Sequence, residues 1–214
     1  MDLVVAGGHG KIGLRLLRLL AERGDRARGL IRNPEQARDL EDAGAEAVVC
    51  DLELEEDVAP FVSGADAIVF AAGAGPGSGA ERKRTMDLGG ALKLIEAARA
   101  DGIARYVIVS AMGAADPAAT GASGTFGVYL QAKHDADEKL RASGLDFTIV
   151  RPGRLTDDPG TGRVRVGPEV GYGEVTRDDV AATLAAVLAA PNTVGKAFEL
   201  IGGDTPIEDA VRSL

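Results

Sequence analysis

Tyr129 and Lys133 stand four residues apart in GVYLQAKHDADEKL (127–140), a stretch with the apolar spacing of an amphipathic helix. Four residues make just over one helical turn, so a phenol and an ammonium leave the same face and can address one common object. The spacing permits proton chemistry, and it equally suits a half-buried tyrosine beside a solvated lysine. Another part of the chain has to supply the object.

The amino-terminal segment can do so. LVVA runs into AGGHGKIG, where Gly7, Gly10 and Gly13 form G-x-x-G-x-x-G with Gly8 as an extra glycine, and IGLRLLRLL continues as a helical pattern. Glycines here allow a tight turn and let the backbone approach a pyrophosphate. The helix's unpaired N–H groups and its dipole then face the anion. This strand, glycine turn and helix predict a dinucleotide cradle formed by Gly7, Gly8, His9, Gly10, Lys11, Ile12 and Gly13. At the end of the second strand, LIRNPEQ places Arg32 where a carboxylate would accept the ribose hydroxyls of NAD. A guanidinium there can grip a 2′-phosphate bidentately and stack on adenine, so NADP is preferred over NAD. Asn33 beside it can cap a helix and also touch the cofactor. Cys50, Asp51 and Leu52 end the third strand and would flank the adenine, with Asp51 accepting from its amino group; Ala71, Ala72 and Gly73 are small enough for a dinucleotide to cross.

These residues need a scaffold, and the pattern of the chain provides one. Short β-branched runs at 3–7, 27–32, 46–51, 67–72, 105–111, 146–152 and 197–202 alternate with helical patterns at 11–23, 34–43, 55–63, 85–102, 124–143 and 177–190. Several of the runs are continuously apolar, as a sheet covered on both faces requires. The expectation is an α/β protein: a doubly wound parallel sheet of the Rossmann type, three layers and about seven strands, in one domain over 1–214. Asn33 before Pro34 with Gln36, and Thr176 with Asp179, read as capping boxes. The stretches 73–79 and 152–174 read as irregular loops at the carboxyl ends of strands, where such sheets bind ligands.

Composition narrows the function classes. A formal charge of -9 argues against a broad nucleic-acid surface and leaves only focal phosphate binding. The single cysteine, Cys50, has no internal partner for a disulfide and reads as a small buried hydrophobe. Two distant histidines and one cysteine support no metal site. HDADE (134–138) reads as the wet face of a helix. No leader segment is apparent, and the longest apolar run, Val180 to Ala190, is far short of the roughly 20 residues a membrane span needs. A cytoplasmic protein without membrane or nucleic-acid partners is expected.

AGGHGKIG, LIRNPEQ, the DL of VCDLE, KLIEAARADGIARYVIVSA, YLQAKHDADEKLRASGLDFTIVRPGRLTDDPGTG and RDDVA occur in an order that resembles the short-chain dehydrogenase/reductase superfamily, specifically its atypical, NmrA-like and epimerase-like branch of small NAD(P)H-binding proteins. The resemblance covers nearly the whole chain. It implies that Ser110, Tyr129 and Lys133 act together: Tyr129 would protonate a carbonyl oxygen as hydride arrives, Ser110 would hold that oxygen, and Lys133 would bond the nicotinamide ribose. A phenol with a pKa near ~10 is a poor acid–base group at neutral pH, and the neighbouring ammonium is expected to lower that value. The position resembling the family's asparagine is Asp87, which alters any proton relay there. Pro152, Gly153 and Leu155 would border the nicotinamide. Arg151 and Arg154 would meet an acidic substrate or pair with nearby acids. The implied activity is an NADP(H)-dependent oxidoreductase acting on a small carbonyl, quinone or similar acceptor. The alternatives are a non-catalytic NADP(H)-binding redox sensor and an NAD(P)-dependent epimerase or isomerase. The assembly is open, with a homodimer as its candidate.

Overall fold

Alternate residues of the first strand serve opposite faces: Leu3 and Val5 enter one core cluster, while Val4 and Ala6 enter the other. Such a strand is covered on both sides, which explains its unbroken apolar run. The computed structural model describes residues 1–75 and 77–214. Pro76, inside the loop expected at 73–79, lies outside the described residues.

The strands are β1 (Asp2–Ala6), β2 (Arg26–Ile31), β3 (Glu46–Val49), β4 (Ala67–Phe70), β5 (Arg105–Val109), β6 (Asp146–Pro152), β7 (Arg154–Thr156), β8 (Arg163–Gly167), β9 (Glu174–Thr176), β10 (Lys196–Gly202) and β11 (Thr205–Pro206). The main sheet has the order β11-β8-β10-β6-β5-β4-β1-β2-β3. Its parallel part, from β3 through β10, contains the strands expected from the sequence. The order reverses between β1 and β4, and a doubly wound sheet opens a ligand crevice at that switch point.

The strand count exceeds the expected seven because residues 152–174 are not an irregular loop. β7 pairs with β9, and β8 pairs antiparallel with β10 and β11, which extends the sheet to nine strands. RVRVG alternates with period two, Val164 buried between exposed Arg163 and Arg165, so the signal was present in a stretch dominated by glycine and proline.

The helices are α1 (Lys11–Glu22), α2 (Ala37–Asp42), α3 (Ala59–Val62), α4 (Ala80–Arg82), α5 (Ala91–Ala100), α6 (Gly124–Arg141), α7 (Arg177–Leu188) and α8 (Ile207–Arg212). Apolar residues of α1, α2, α7 and α8 cover one face of the sheet, and those of α3, α5 and α6 cover the other. Leu16, Leu17 and Leu20 of α1 are fully buried, at about 2 kcal/mol each by transfer, which holds the amino end of α1 at the switch point. The helix expected at 55–63 is only one turn, α3, which begins beside Pro60. Between α4 and α5 the chain forms a π-helical segment, Lys83–Gly90, where continuous α-helix was expected. Such wide turns mark functional sites more often than plain helix does.

Both capping residues act as expected, and both reciprocal partners differ. Asn33 Oδ1 accepts from Glu35 N at 3.0 Å, and Thr176 Oγ1 accepts from Asp179 N at 3.0 Å. Asp179, buried, turns instead to the β7–β8 loop, where it accepts from the backbone N–H of Thr161 and Gly162.

Candidate nucleotide and substrate cleft

The cleft begins where β1 ends. Gly7 takes a φ of +79°, in the left-handed region that a side chain disfavours. Gly10 N donates to Gly7 O at 2.8 Å, closing the turn on itself, and Gly8 N donates to Leu30 O at 3.0 Å, pinning the loop to β2. A Cβ on Gly13 would lie 2.2 Å from Gly7 O, so only glycine lets α1 start this close to the turn. The first turn of α1 carries no side-chain cap and no acidic residue, which leaves its N–H groups and the positive end of its dipole available to an anion.

In front of this cradle lies a cavity of about 530 Å³ lined by Gly7, His9, Gly10, Arg32, Asp51 and Leu52, among others. Arg32 is exposed, and its guanidinium has no hydrogen-bond or ion-pair partner among the described residues. The donor set suits a dinucleotide: uncapped helix N–H groups face the cradle, and an unpaired guanidinium stands beyond it. His9 Nε2 is 2.7 Å from Asp39 Oδ2, and Asp51 Oδ1 accepts from Glu53 N at 2.9 Å. Cys50 is buried in the same wall, and burial pushes its thiol up to about 11, away from reactivity at neutral pH.

A second cavity of about 690 Å³ continues past Ile12, Ala71, Ala72, Gly73 and Leu155, which line both. Tyr129 and Lys133 belong to it, so α6 turns both side chains to one cavity. Lys133 is almost fully buried: Nζ donates to Val109 O at 3.0 Å and lies 3.3 Å from Asp87 Oδ1. Asp87 is held by the π-helical segment, and its Oδ2 accepts from Ala74 N at 3.1 Å. A charged pair therefore stands where the family pattern has a neutral asparagine. Lys133 Nζ is also 5.9 Å from the Tyr129 ring centroid.

The expected lowering of the Tyr129 pKa does not hold. Burial pushes the phenol up; Lys133 pulls it down, while Asp87 and Asp137 push it up again. Desolvation outweighs the pull of Lys133, and the net direction is upward, so Tyr129 stays a neutral phenol able to donate a proton.

Ser110 also departs from expectation. It lines the second cavity, yet its hydroxyl donates to Asp137 Oδ2 at 2.9 Å. The same oxygen accepts from Arg151 Nε at 3.0 Å and lies 2.9 Å from Nη2, forming an ion pair buried beneath the site. HDADE is therefore not a wet face: Ala136 and Asp137 are buried, and His134 Nδ1 lies 2.9 Å from Ala114 O. Burial pushes the Asp137 carboxyl up, against Arg151, Ser110 and Lys133. Its Oδ1 has no partner among the described residues. Arg151 and Arg154 both pair with acids, the latter with Glu174 at the surface.

Some expected contacts fall outside the cleft. Gly8, Gly13, Asn33, Pro152 and Gly153 line neither cavity. A Cβ on Gly8 would lie 2.8 Å from Gly29 Cα, and one on Gly153 would lie 2.2 Å from Gly173 O, so these glycines serve close backbone packing. Residues missed by sequence reasoning do line it: Arg82, Lys83, Phe126 and Arg177. Arg177 and Lys11 both reach the carboxylate of Asp157 across the cleft. Phe126 carried a signal, an aromatic three residues before Tyr129 in a chain with few aromatics; Arg177 lies far away in sequence. Among the described residues no cluster has the make-up of a metal site, and no helix is long and apolar enough to cross a membrane.

Comparison with known proteins agrees with this geometry. The family described as NAD(P)H-binding matches residues 7–191. An uncharacterized sugar epimerase of Bacillus subtilis, YhfK, is 43% identical over 100% of both chains. A Bacillus halodurans structure assigned by name to the NAD-dependent epimerase/dehydratases is 40% identical with a TM-score of 0.94, covering 100% of both chains. An anaerobillin reductase of Escherichia coli O157:H7, ChuY, is 26% identical with a TM-score of 0.79 over 95% of this chain and 98% of its own. A glycine cradle at the switch point, continuous with a cavity holding Tyr129 and Lys133, thus accompanies similarity along the full chain: the protein belongs to the NAD(P)H-binding family of Rossmann-fold, short-chain-dehydrogenase-like proteins.

Proposed function

We propose that this protein is an NADP(H)-dependent oxidoreductase that reduces a small carbonyl, quinone or similar acceptor, with Tyr129 as the proton donor. The carrying observation is that the cradle cavity runs into one that presents a neutral phenol backed by a buried lysine. A bound dihydronicotinamide supplies the hydride. Tyr129 donates its phenolic proton to the acceptor oxygen as negative charge develops there. Lys133, anchored by Asp87 and Val109 O, keeps a positive charge near that phenol and stabilises the phenolate left behind. Ser110 braces the floor through Asp137, which leaves Tyr129 as the donor to the acceptor. The similarity to a protein named a reductase supports this reading.

The preference for NADP rests on Arg32. Charge-assisted hydrogen bonds are worth about 1.5–3 kcal/mol, so Arg32→Ala should raise the NADPH dissociation constant about ten- to a hundredfold and leave NADH within about threefold. Titration calorimetry with both nucleotides checks this; equal losses overturn the preference.

The names of two similar proteins favour a second reading, an epimerase. Stopped-flow NADPH oxidation against quinones, aldehydes and flavins separates the readings. Net consumption supports the oxidoreductase, whereas a tightly held dinucleotide that is never consumed, with inversion of a sugar substrate, supports the epimerase. Saturable binding without turnover on any substrate would make the protein a sensor.

A further inference from the structure

We propose that the second cavity takes a planar conjugated molecule bearing a carboxylate, its ring laid on Phe126 and Tyr129 and its charge met by Lys83 and the amino-terminal turn of α6. The choice of reacting group rests on the oxidoreductase reading; the binding chemistry does not.

The charges that line this cavity are Lys83, Asp87, Lys133 and Arg177. Asp87 and Lys133 neutralise one another in the buried floor, and Arg177 Nη1 is 2.9 Å from Asp157 Oδ1. Lys83 remains. Its Nζ donates to Gly75 O at 2.8 Å, lies 5.2 Å from the Tyr129 ring centroid and has no ion pair among the described residues. A chain with a formal charge of -9 thus turns an uncompensated cation into its substrate-side cavity, with no accessible carboxylate in the lining.

The α6 terminus points the same way. This helix of 18 residues has neither a side-chain cap at Ser123 nor an acidic residue in its first turn, and Thr125 and Phe126 of that turn line the cavity. Its unpaired N–H groups add a partial positive charge beside Lys83.

The ring site is equally specific. Phe126 is 59% exposed, and its ring is stacked with Tyr129 at 6.0 Å and 26°. An aromatic face left open at a cavity mouth gains most by covering a flat π-system, which prefers such offset stacking. One cation, one helix terminus and an aromatic wall suit a monoanionic arene.

Calorimetry of the NADPH-loaded full chain with 2-naphthoate and the isosteric 2-naphthamide tests this without turnover, since neither probe accepts hydride under these conditions. The naphthoate should bind at least tenfold more tightly. Lys83→Gln should cut that difference to about threefold, the share left to the α6 terminus, and leave the amide unchanged, while Phe126→Ala should weaken both probes about fivefold or more. Equal affinity for the two probes, or a preference undiminished in Lys83→Gln, overturns the proposal. Expected binding of naphthoate together with no reduction of any quinone, aldehyde or flavin would support this inference and reject the oxidoreductase reading.

Discussion

A Tyr129→Phe variant should bind NADPH as the parent chain does and lose about 10²- to 10⁴-fold in turnover, the range a positioned general acid supplies. The substitution removes one oxygen and retains the ring stacked on Phe126, so affinity and rate separate. The pH profile carries a second signature. The phenol must be protonated to donate, and its pKa sits above the ordinary value of ~10, so reductive turnover should stay level through neutral pH and fall only on the alkaline side. Asp87→Asn removes a negative charge that pushes the phenol up and should move that alkaline limb to lower pH. Lys133→Met removes the charge that pulls it down and should move the limb higher. Undiminished turnover in Tyr129→Phe would end the assignment of Tyr129 as donor, and steady-state assays from neutral to alkaline pH would show it.

Removing Asp137 should be strongly destabilising. Asp137→Ala leaves the Arg151 guanidinium, whose side chain is 8% exposed, charged and without its partner inside the fold; breaking such a pair costs about 3–5 kcal/mol. Urea unfolding at constant m-value would read the loss as a lower midpoint. The double change Asp137→Leu with Arg151→Met should recover most of it, because a buried pair replaced by apolar groups of similar volume is often neutral or better. A double variant as unstable as Asp137→Ala would show that the ion pair is not the reason. Burial holds the Asp137 carboxyl above its ordinary value, so the folded chain binds that proton more tightly than the unfolded chain. Its contribution to stability is complete below about pH 4, the unfolded value, and is lost as pH rises through the folded one. Asp137 therefore does not drive acid unfolding.

This buried pair shows where reading the sequence fell short. HDADE has the polarity of a solvated surface, and although Asp137, four residues after Lys133, shares the face of Tyr129 and Lys133, the sequence does not show its partner. The pair forms because Arg151 comes from a strand 14 residues downstream and meets Asp137 only after α6 packs on the sheet. The same crossing redirects the Ser110 hydroxyl to Asp137. The β8 strand is a different case: RVRV alternates legibly, and glycine and proline around it masked the period.

The order of β and α segments and the glycine cradle were legible in the sequence because they depend on local facts. These are apolar runs, turn residues and helix starts, each contained within a few positions. The Tyr129–Lys133 pair was legible for the same reason, one turn of one helix. The tertiary structure decided the state of those groups: the direction of the Tyr129 pKa, the Asp87 clamp on Lys133, the buried Asp137–Arg151 pair and the open cation at Lys83. Protonation and charge balance depend on desolvation and on neighbours from distant elements, and those neighbours meet only when the sheet brings the ends of its strands together.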